Sequence, residues 1–150
     1  MAKILVVDDV AYIRLLFQIE LKDAGYDVEV AESGPQALRR IQLSKPDLVL
    51  LDLSIPGIGG MEILEEIRRQ TPNMPVIVIT AHSMRENVLK ARRLGAVDFL
   101  AKPVDADELK AKVGHILSNK YYYMKKKERQ GEPASGPSAL SLRAEKPKNL

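Results

Sequence analysis

The sequence predicts a doubly wound α/β fold, a parallel sheet with helices on both faces. Two observations predict it. Five short apolar runs recur between residues 4 and 100, and three of them are almost purely Val, Ile and Leu. Such runs fit strands buried on both faces, as in a parallel sheet. Between them lie segments of helical length, with apolar residues every three or four positions and helix start or stop signals at their ends. Alternation of this kind, with short connections, sets strands side by side and helices above and below them.

The first run, Ile4–Val7, leads into Asp8-Asp9. A helix is expected just after, with Ile13, Leu16, Phe17 and Leu21 on one face and Gly25 at its stop. Val28–Ala31 is the second strand. Ser33 and Gln36 form a capping-box pattern ahead of Ala37, Leu38 and Ile41, and Pro46 ends that helix. Leu48–Leu51 is the third strand. Met61, Leu64 and Ile67 mark a third helix, stopped before Pro72. Val76–Ile79 is the fourth strand. Ser83 and Glu86 make a second capping box before Val88, Ala91 and Leu94, and Gly95 closes that helix. Ala96–Leu100 is the fifth strand, and Asp105 with Glu108 opens a last helix carrying Leu109, Val113 and Ile116. The local pattern does not dictate strand order. The expected arrangement is flavodoxin-like: five parallel strands ordered 2-1-3-4-5, five helices and a C-terminal extension.

A chain of 150 residues fits one domain with an appendage. With 45% hydrophobic and 29% charged residues it is neither collagen-like nor wholly disordered. No apolar run approaches the ~20 residues that a membrane-spanning helix needs, and residues 1–9 do not read as a signal peptide. A cytoplasmic location is therefore expected. Zero cysteines exclude disulfides and Cys-based metal sites. The net charge of +3 is unevenly spread. Residues 1–117 hold 15 Lys and Arg against 17 Asp and Glu, so 15 − 17 = −2. Residues 118–150 hold 8 against 3, so 8 − 3 = +5. The main domain, residues 1–117, is mildly acidic, and direct DNA binding is not expected from it. Residues 118–130 read as a helical extension or linker. There Tyr121-Tyr122-Tyr123-Met124-Lys125-Lys126-Lys127 joins aromatics to basic charge, and its partner is open. Residues 131–150 hold three prolines and no apolar period, which reads as a disordered tail.

In sheets of this kind ligands sit beyond the carboxyl ends of the strands. There the first strand ends in Asp8-Asp9, the third in Asp52, the fourth in Thr80-Ala81, and the fifth leads to Lys102-Pro103. Each residue has an ordinary explanation: helix-capping acids, a loop acid beside Pro56-Gly57, a turn threonine, a surface lysine. Their joint placement makes a chemical site. Three crowded carboxylates repel one another. A hard divalent cation such as Mg²⁺ relieves the repulsion and is often completed by a phosphate oxygen. A lysine suits a phosphoryl group, and a carboxylate between metal and ammonium can attack phosphorus. The set reads as Mg²⁺-assisted phosphoryl transfer to Asp52.

With those residues in place, the sequence resembles the receiver domain of two-component response regulators. The likeness rests on Asp8-Asp9 after Ile4–Val7, on Asp52 in Leu50-Leu51-Asp52-Leu53, and on Ile55-Pro56-Gly57, Gly60 and Met61. It continues through Thr80-Ala81 and through Gly95-Ala96-Val97-Asp98-Phe99-Leu100-Ala101-Lys102-Pro103, and it extends from residue 3 to about 117. The resemblance implies that Asp52 accepts a phosphoryl group from a histidine kinase or a histidine phosphotransfer protein. It implies that Asp9 and Asp52 bind Mg²⁺ directly, Asp8 through water, and the Ser54 backbone carbonyl completes the protein ligands. Thr80 and the Ala81 N–H would bind phosphoryl oxygens, Lys102 would pair with the phosphoryl group, and the Lys102–Pro103 bond would be cis. Thr80 and Phe99 would act as switch residues, altering a surface of helix 4, strand 5 and helix 5 that binds a downstream protein. Phe99 lacks the hydroxyl of the tyrosine often found there, and plain core packing remains open for it. Ser54 and His82 occupy the positions that tune dephosphorylation. His115 reads as a surface residue of the last helix.

The expectation is a phosphoacceptor switch rather than an enzyme, with only self-catalysed phosphotransfer and autodephosphorylation. One rival is a receiver fragment of a longer DNA-binding regulator or hybrid kinase. A phosphatase with an aspartyl nucleophile would carry a second acid where Ser54 stands. A flavodoxin-like cofactor carrier would need a phosphate-binding loop after the first strand, where Asp8-Asp9 stands instead.

Overall fold

In the computed structural model, strands and helices alternate along the chain. They are β1 (Lys3–Val7), α1 (Ala11–Asp23), β2 (Asp27–Ala31), α2 (Gly34–Ser44), β3 (Leu48–Asp52), α3 (Gly60–Gln70), β4 (Val76–Thr80), α4 (Arg85–Arg93), β5 (Asp98–Ala101) and α5 (Ala106–Gln130). The structure describes residues 1–55, 59–81 and 85–130, and the side chains of 85 and 120–130 fall outside that description. The Pro56-Gly57 loop, His82, the capping box at Ser83, the aromatic–basic side chains from Tyr121 and the 131–150 segment therefore lie outside the described residues. Contacts group the chain into Met1–Leu117 and Ser118–Leu150, and the sheet with its layers belongs to the first group. No described helix is long and apolar enough to cross a membrane.

The sheet is parallel, in the order β2-β1-β3-β4-β5. Its inner strands alternate between two cores, because successive side chains of a strand point to opposite faces. Leu5, Val7, Val49, Leu51, Val76 and Val78 pack with Ala37, Ile41, Ile63, Leu64 and Ile67 of α2 and α3. Ile4, Val6, Leu48, Leu50, Ile77 and Ile79 pack with Phe17 and Leu21 of α1 and with Leu109, Val113 and Ile116 of α5. Continuous Val/Ile/Leu runs are therefore what two covered faces require.

Local chemistry sets the element ends. Ser33 caps α2 by accepting the Gln36 N–H at 3.3 Å, while the Gln36 side chain accepts the Glu32 N–H at 2.7 Å. The capping box thus closes one residue further upstream than its standard form. At the other end of α2, Lys45 takes a left-handed φ of 48° immediately before Pro46. Gly25 and Gly95 supply φ of 97° and 95° at the ends of α1 and α4. Asp105 Oδ2 accepts the Glu108 N–H at 2.9 Å and caps α5.

Two expectations need correction. The fifth strand starts at Asp98, not Ala96, because the Ala96 N–H still bonds to the Ala91 carbonyl as part of the α4 terminus. Leu16 does not join the buried face of α1; it is 38% exposed, whereas Phe17 and Leu21 are buried. Tyr12, Leu15 and Ile19 are exposed as well, so α1 carries apolar residues on both sides.

Gly60 ties the fold to the site. A Cβ at Gly60 would land on the Leu53 backbone, one residue beyond Asp52, whereas at Gly59 the nearest atom is Glu62 Oε1 at 4.0 Å. Gly60→Ala should destabilise the domain by about 1–3 kcal/mol, because backbone rather than a flexible side chain must give way. Gly59→Ala should cost less than about 1 kcal/mol. Urea unfolding of both variants measures the difference.

Candidate functional site: an acidic cluster at the strand ends

The parallel register brings the carboxyl ends of β1, β3, β4 and β5 to one rim. Asp8 and Asp9 follow β1, Asp52 is the last residue of β3, Thr80 ends β4 and Lys102 follows β5. A carboxylate oxygen from each of Asp8, Asp9 and Asp52 lies within 4.8 Å of the other two. Asp8 and Asp52 are buried, at 0% and 1% exposure, while Asp9 is exposed. Thr80 is 5% exposed and Ala81 is exposed.

Lys102 bridges the buried acids. Its Nζ donates to Asp52 Oδ2 at 2.8 Å and stands 3.9 Å from Asp8 Oδ2. The Lys102–Pro103 peptide bond is cis. The other Asp52 oxygen, Oδ1, accepts the Ser54 N–H at 2.9 Å and the Ser54 hydroxyl at 2.8 Å. Asp8 Oδ1 accepts the Val10 N–H at 2.9 Å, but Asp8 Oδ2 is buried with no hydrogen-bond partner among the described residues.

These contacts split the two buried carboxyls. At Asp52, burial pushes the carboxyl up, but the bond from Lys102 and the two donors of Ser54 outweigh it and hold it below the usual range. At Asp8, burial dominates. The Val10 N–H opposes it, the Asp52 charge adds to it, and the carboxyl is pushed up to about 6. A buried oxygen with no hydrogen bond among the described residues, in a carboxyl reluctant to ionise and beside two further carboxylates, suits a hard cation bound through oxygen. The donor set therefore fits a divalent ion such as Mg²⁺.

Two contributors escaped the sequence reading. Arg14 reaches back from α1 to donate to the Asp8 carbonyl at 2.7 Å and faces Glu32 Oε2 at 3.7 Å. It thereby fixes the β1–α1 turn that carries the acids. Its place one turn into a helix after an acidic pair was the available signal. The Ser54 hydroxyl also holds Asp52, a contact beyond the backbone carbonyl and the dephosphorylation position for which the sequence singled Ser54 out. Phe99 is half-buried in β5 and packs against the α2–α3–α4 core.

A family model, the response regulator receiver domain, matches residues 4–114. The chain belongs to this family. Sporulation initiation phosphotransferase F of Bacillus subtilis is 40% identical over 115 residues, covering 77% of this chain and 93% of that protein. The alkaline phosphatase synthesis transcriptional regulatory protein PhoP of the same organism is 38% identical over 115 residues. The DNA-binding transcriptional regulator NtrC of Klebsiella pneumoniae is 34% identical over 134 residues, or 89% of this chain. The chain spans only 48% of PhoP and 28% of NtrC. Among solved structures, a response regulator receiver domain from Clostridium thermocellum superposes with a TM-score of 0.78 at 34% identity, covering 82% of this chain and 99% of that one. This receiver thus works in two-component signal transduction, with the flavodoxin-like topology expected of it.

The raised Asp8 carboxyl has a consequence for stability. The folded state holds the Asp8 proton up to a pH of about 6, whereas a free aspartate side chain releases it near 3.8. The folded state therefore binds more protons in that window, and stability falls as pH rises through it. Asp8→Asn removes this burden. Without divalent ions, the variant should be more stable than the parent by on the order of 2 kcal/mol at pH 7.5, with the gain vanishing towards pH 4. Urea unfolding in EDTA at both pH values checks the sign.

Proposed function

We propose that this chain is a phosphorylatable receiver that takes a phosphoryl group from a phosphohistidine donor onto Asp52, with Mg²⁺, and changes its partner binding in response. The observation carrying the proposal is the Lys102–Asp52 contact of 2.8 Å, with carboxylate oxygens of Asp8 and Asp9 within 4.8 Å of one from Asp52. In that arrangement one carboxylate is held ionised and turned to the rim. Asp8, Asp9, Asp52 and the Ser54 backbone carbonyl would hold the metal, which supplies charge neutralisation at the phosphoryl oxygens when bound.

The transfer balances simply. An Asp52 carboxylate oxygen attacks phosphorus, the P–N bond to the donor imidazole breaks, and the imidazole leaves with the electron pair. Lys102 then exchanges its carboxylate partner for a phosphoryl oxygen, while the Thr80 hydroxyl and the Ala81 N–H donate to the others. Water later cleaves the acyl phosphate, returning Asp52 and inorganic phosphate, so no separate hydrolase activity is required. Val10, which follows Asp9, and Tyr12, Leu15 and Ile19 on the succeeding α1 are exposed, which suits a protein donor with an apolar contact face. The added charge, about −1.5 to −2, would draw Thr80 inwards and reorient Phe99, altering the α4–β5–α5 surface read by a downstream protein. Residues 1–117 would carry all of this, with 118–130 as a helical extension, 131–150 as a tail, and the cytoplasm as the place of work.

Coverage favours a second reading, in which the same receiver regulates a longer protein. The chain spans 93% of the phosphotransferase but 28% of NtrC, a DNA-binding regulator. Whether the native reading frame continues past Leu150 into an output domain decides between them.

Incubation with acetyl phosphate and Mg²⁺ should add one phosphoryl group, seen by intact-mass spectrometry. Asp52→Asn should abolish the adduct, and EDTA should suppress it. Absence of any adduct on folded parent protein would refute the proposal. Mg²⁺ must displace the Asp8 proton, so its affinity should fall by up to roughly tenfold per pH unit below about 6, with proton release on binding. Calorimetry in two buffers of different ionisation enthalpy measures that release.

A further inference from the structure

Phe99 lies on β5, the edge strand of the sheet, and side chains take both of its backbone polar groups. Its N–H donates to Asp98 Oδ1 at 2.8 Å, and its carbonyl accepts from Lys112 Nζ at 2.6 Å. The same ammonium donates to Asp98 Oδ1 at 3.2 Å and stands 4.9 Å from the centroid of the Phe99 ring. Glu108, one turn earlier on α5, faces it at 3.7 Å. From α4, the Arg92 guanidinium lies 5.9 Å from the same centroid, and its Nε is buried with no hydrogen-bond partner among the described residues. Two cations from two helices thus approach one ring.

We infer that Lys112 is a positioning residue for Phe99, holding the ring in its resting orientation and so setting how readily phosphorylation of Asp52 switches the domain. The inference rests on the reading of Phe99 as a switch residue. Its physical content is a differential interaction. The ammonium is anchored by the Asp98 carboxylate and the Phe99 carbonyl, so it cannot follow the ring. A ring that turns away loses the cation–π contact, whereas the resting ring keeps it. A contact made in one state only biases the equilibrium towards that state. Lys112 also covers the open edge of β5, a structural duty that by itself would not affect switching.

The chain contains two phenylalanines, Phe17 and Phe99, so fluorophenylalanine labelling gives two ¹⁹F lines. Beryllofluoride with Mg²⁺ mimics a phosphoryl group on a carboxylate and should move the Phe99 line. In Lys112→Met, which keeps the apolar stem, that line should shift part-way towards the activated position with no mimic present. The beryllofluoride midpoint should fall by roughly threefold to tenfold. Lys112→Arg should restore both. Asp98→Asn, which removes the charged anchor of the ammonium and leaves only the Phe99 carbonyl to hold it, should act in the same direction and decides the matter if Lys112→Met folds poorly. The Phe17 line should stay in place throughout. Phe99 lines and midpoints that coincide with the parent in both variants, while the mimic still moves the parent's line, would overturn the inference. A parent Phe99 line that ignores the mimic on a protein that phosphorylates normally would refute the switch role of Phe99, and this inference with it. Failure to phosphorylate Asp52 at all would instead refute the function proposed above.

Discussion

The burial of two carboxyl groups side by side, relieved by a single ammonium, is the constraint around which this structure is organised. Asp8 and Asp52 are both out of contact with solvent, and Lys102 is 2.8 Å from one and 3.9 Å from the other. Like charges so close cannot both ionise freely. The Lys102 bond and the Ser54 donors settle which one does, leaving Asp52 charged and Asp8 reluctant. Without the lysine, the largest influence holding the Asp52 carboxyl down would be gone, and the two donors of Ser54 would oppose burial alone. The division of labour between the two acids therefore depends on a residue carried by a different strand.

That lysine can reach the acids only because the sheet delivers it there. β5 pairs with β4 and β4 with β3, in parallel and in register, so the strand ends form one rim. The two apolar layers fix the strands, and the turns that follow them are fixed by particular contacts. Arg14 holds the Asp8 carbonyl, Gly60 lets α3 approach Leu53, and the Asp52 carboxylate is itself bound by the Ser54 N–H. Asp8 and Asp9 sit on the short turn after β1, and Asp52 is the last residue of β3. There they can meet a ligand, and the rigid sheet still sets their separations.

Much of this was legible in the sequence because the relevant signals are local or repeated. Apolar runs such as Leu48–Leu51 can hardly be anything but doubly covered strands once helical segments separate them, and the chemistry at their ends follows from position. The failures came where tertiary contacts overrode local pattern. Ala96 and Val97 look like strand residues, yet the Ala96 N–H belongs to the helix terminus that Gly95 closes. Leu16 falls at helical spacing, but Phe17 and Leu21 already fill the space beneath α1. Arg14 and Lys112 each resemble one surface cation among many. Their roles depend on which carbonyl or ring lies opposite, and periodicity carries no such information.

The same contacts explain why a domain with this site can be stable and still respond. Its cores are built from large aliphatic side chains, many of them fully buried, so the sheet has cohesion to spare for an unfavourable cluster at its rim. The cost is concentrated in Asp8: a carboxyl reluctant to ionise, one of whose buried oxygens has no hydrogen bond among the described residues. That is also the group that a cation would satisfy. Binding there relieves an existing imbalance rather than disturbing a settled arrangement. On the role inferred for Lys112, a small event at the rim would compete with contacts on β5 such as the cation–π pair at Phe99. Were the rim fully satisfied at rest, the added charge would have to break strong interactions before it could make new ones, and the domain would be a poor switch.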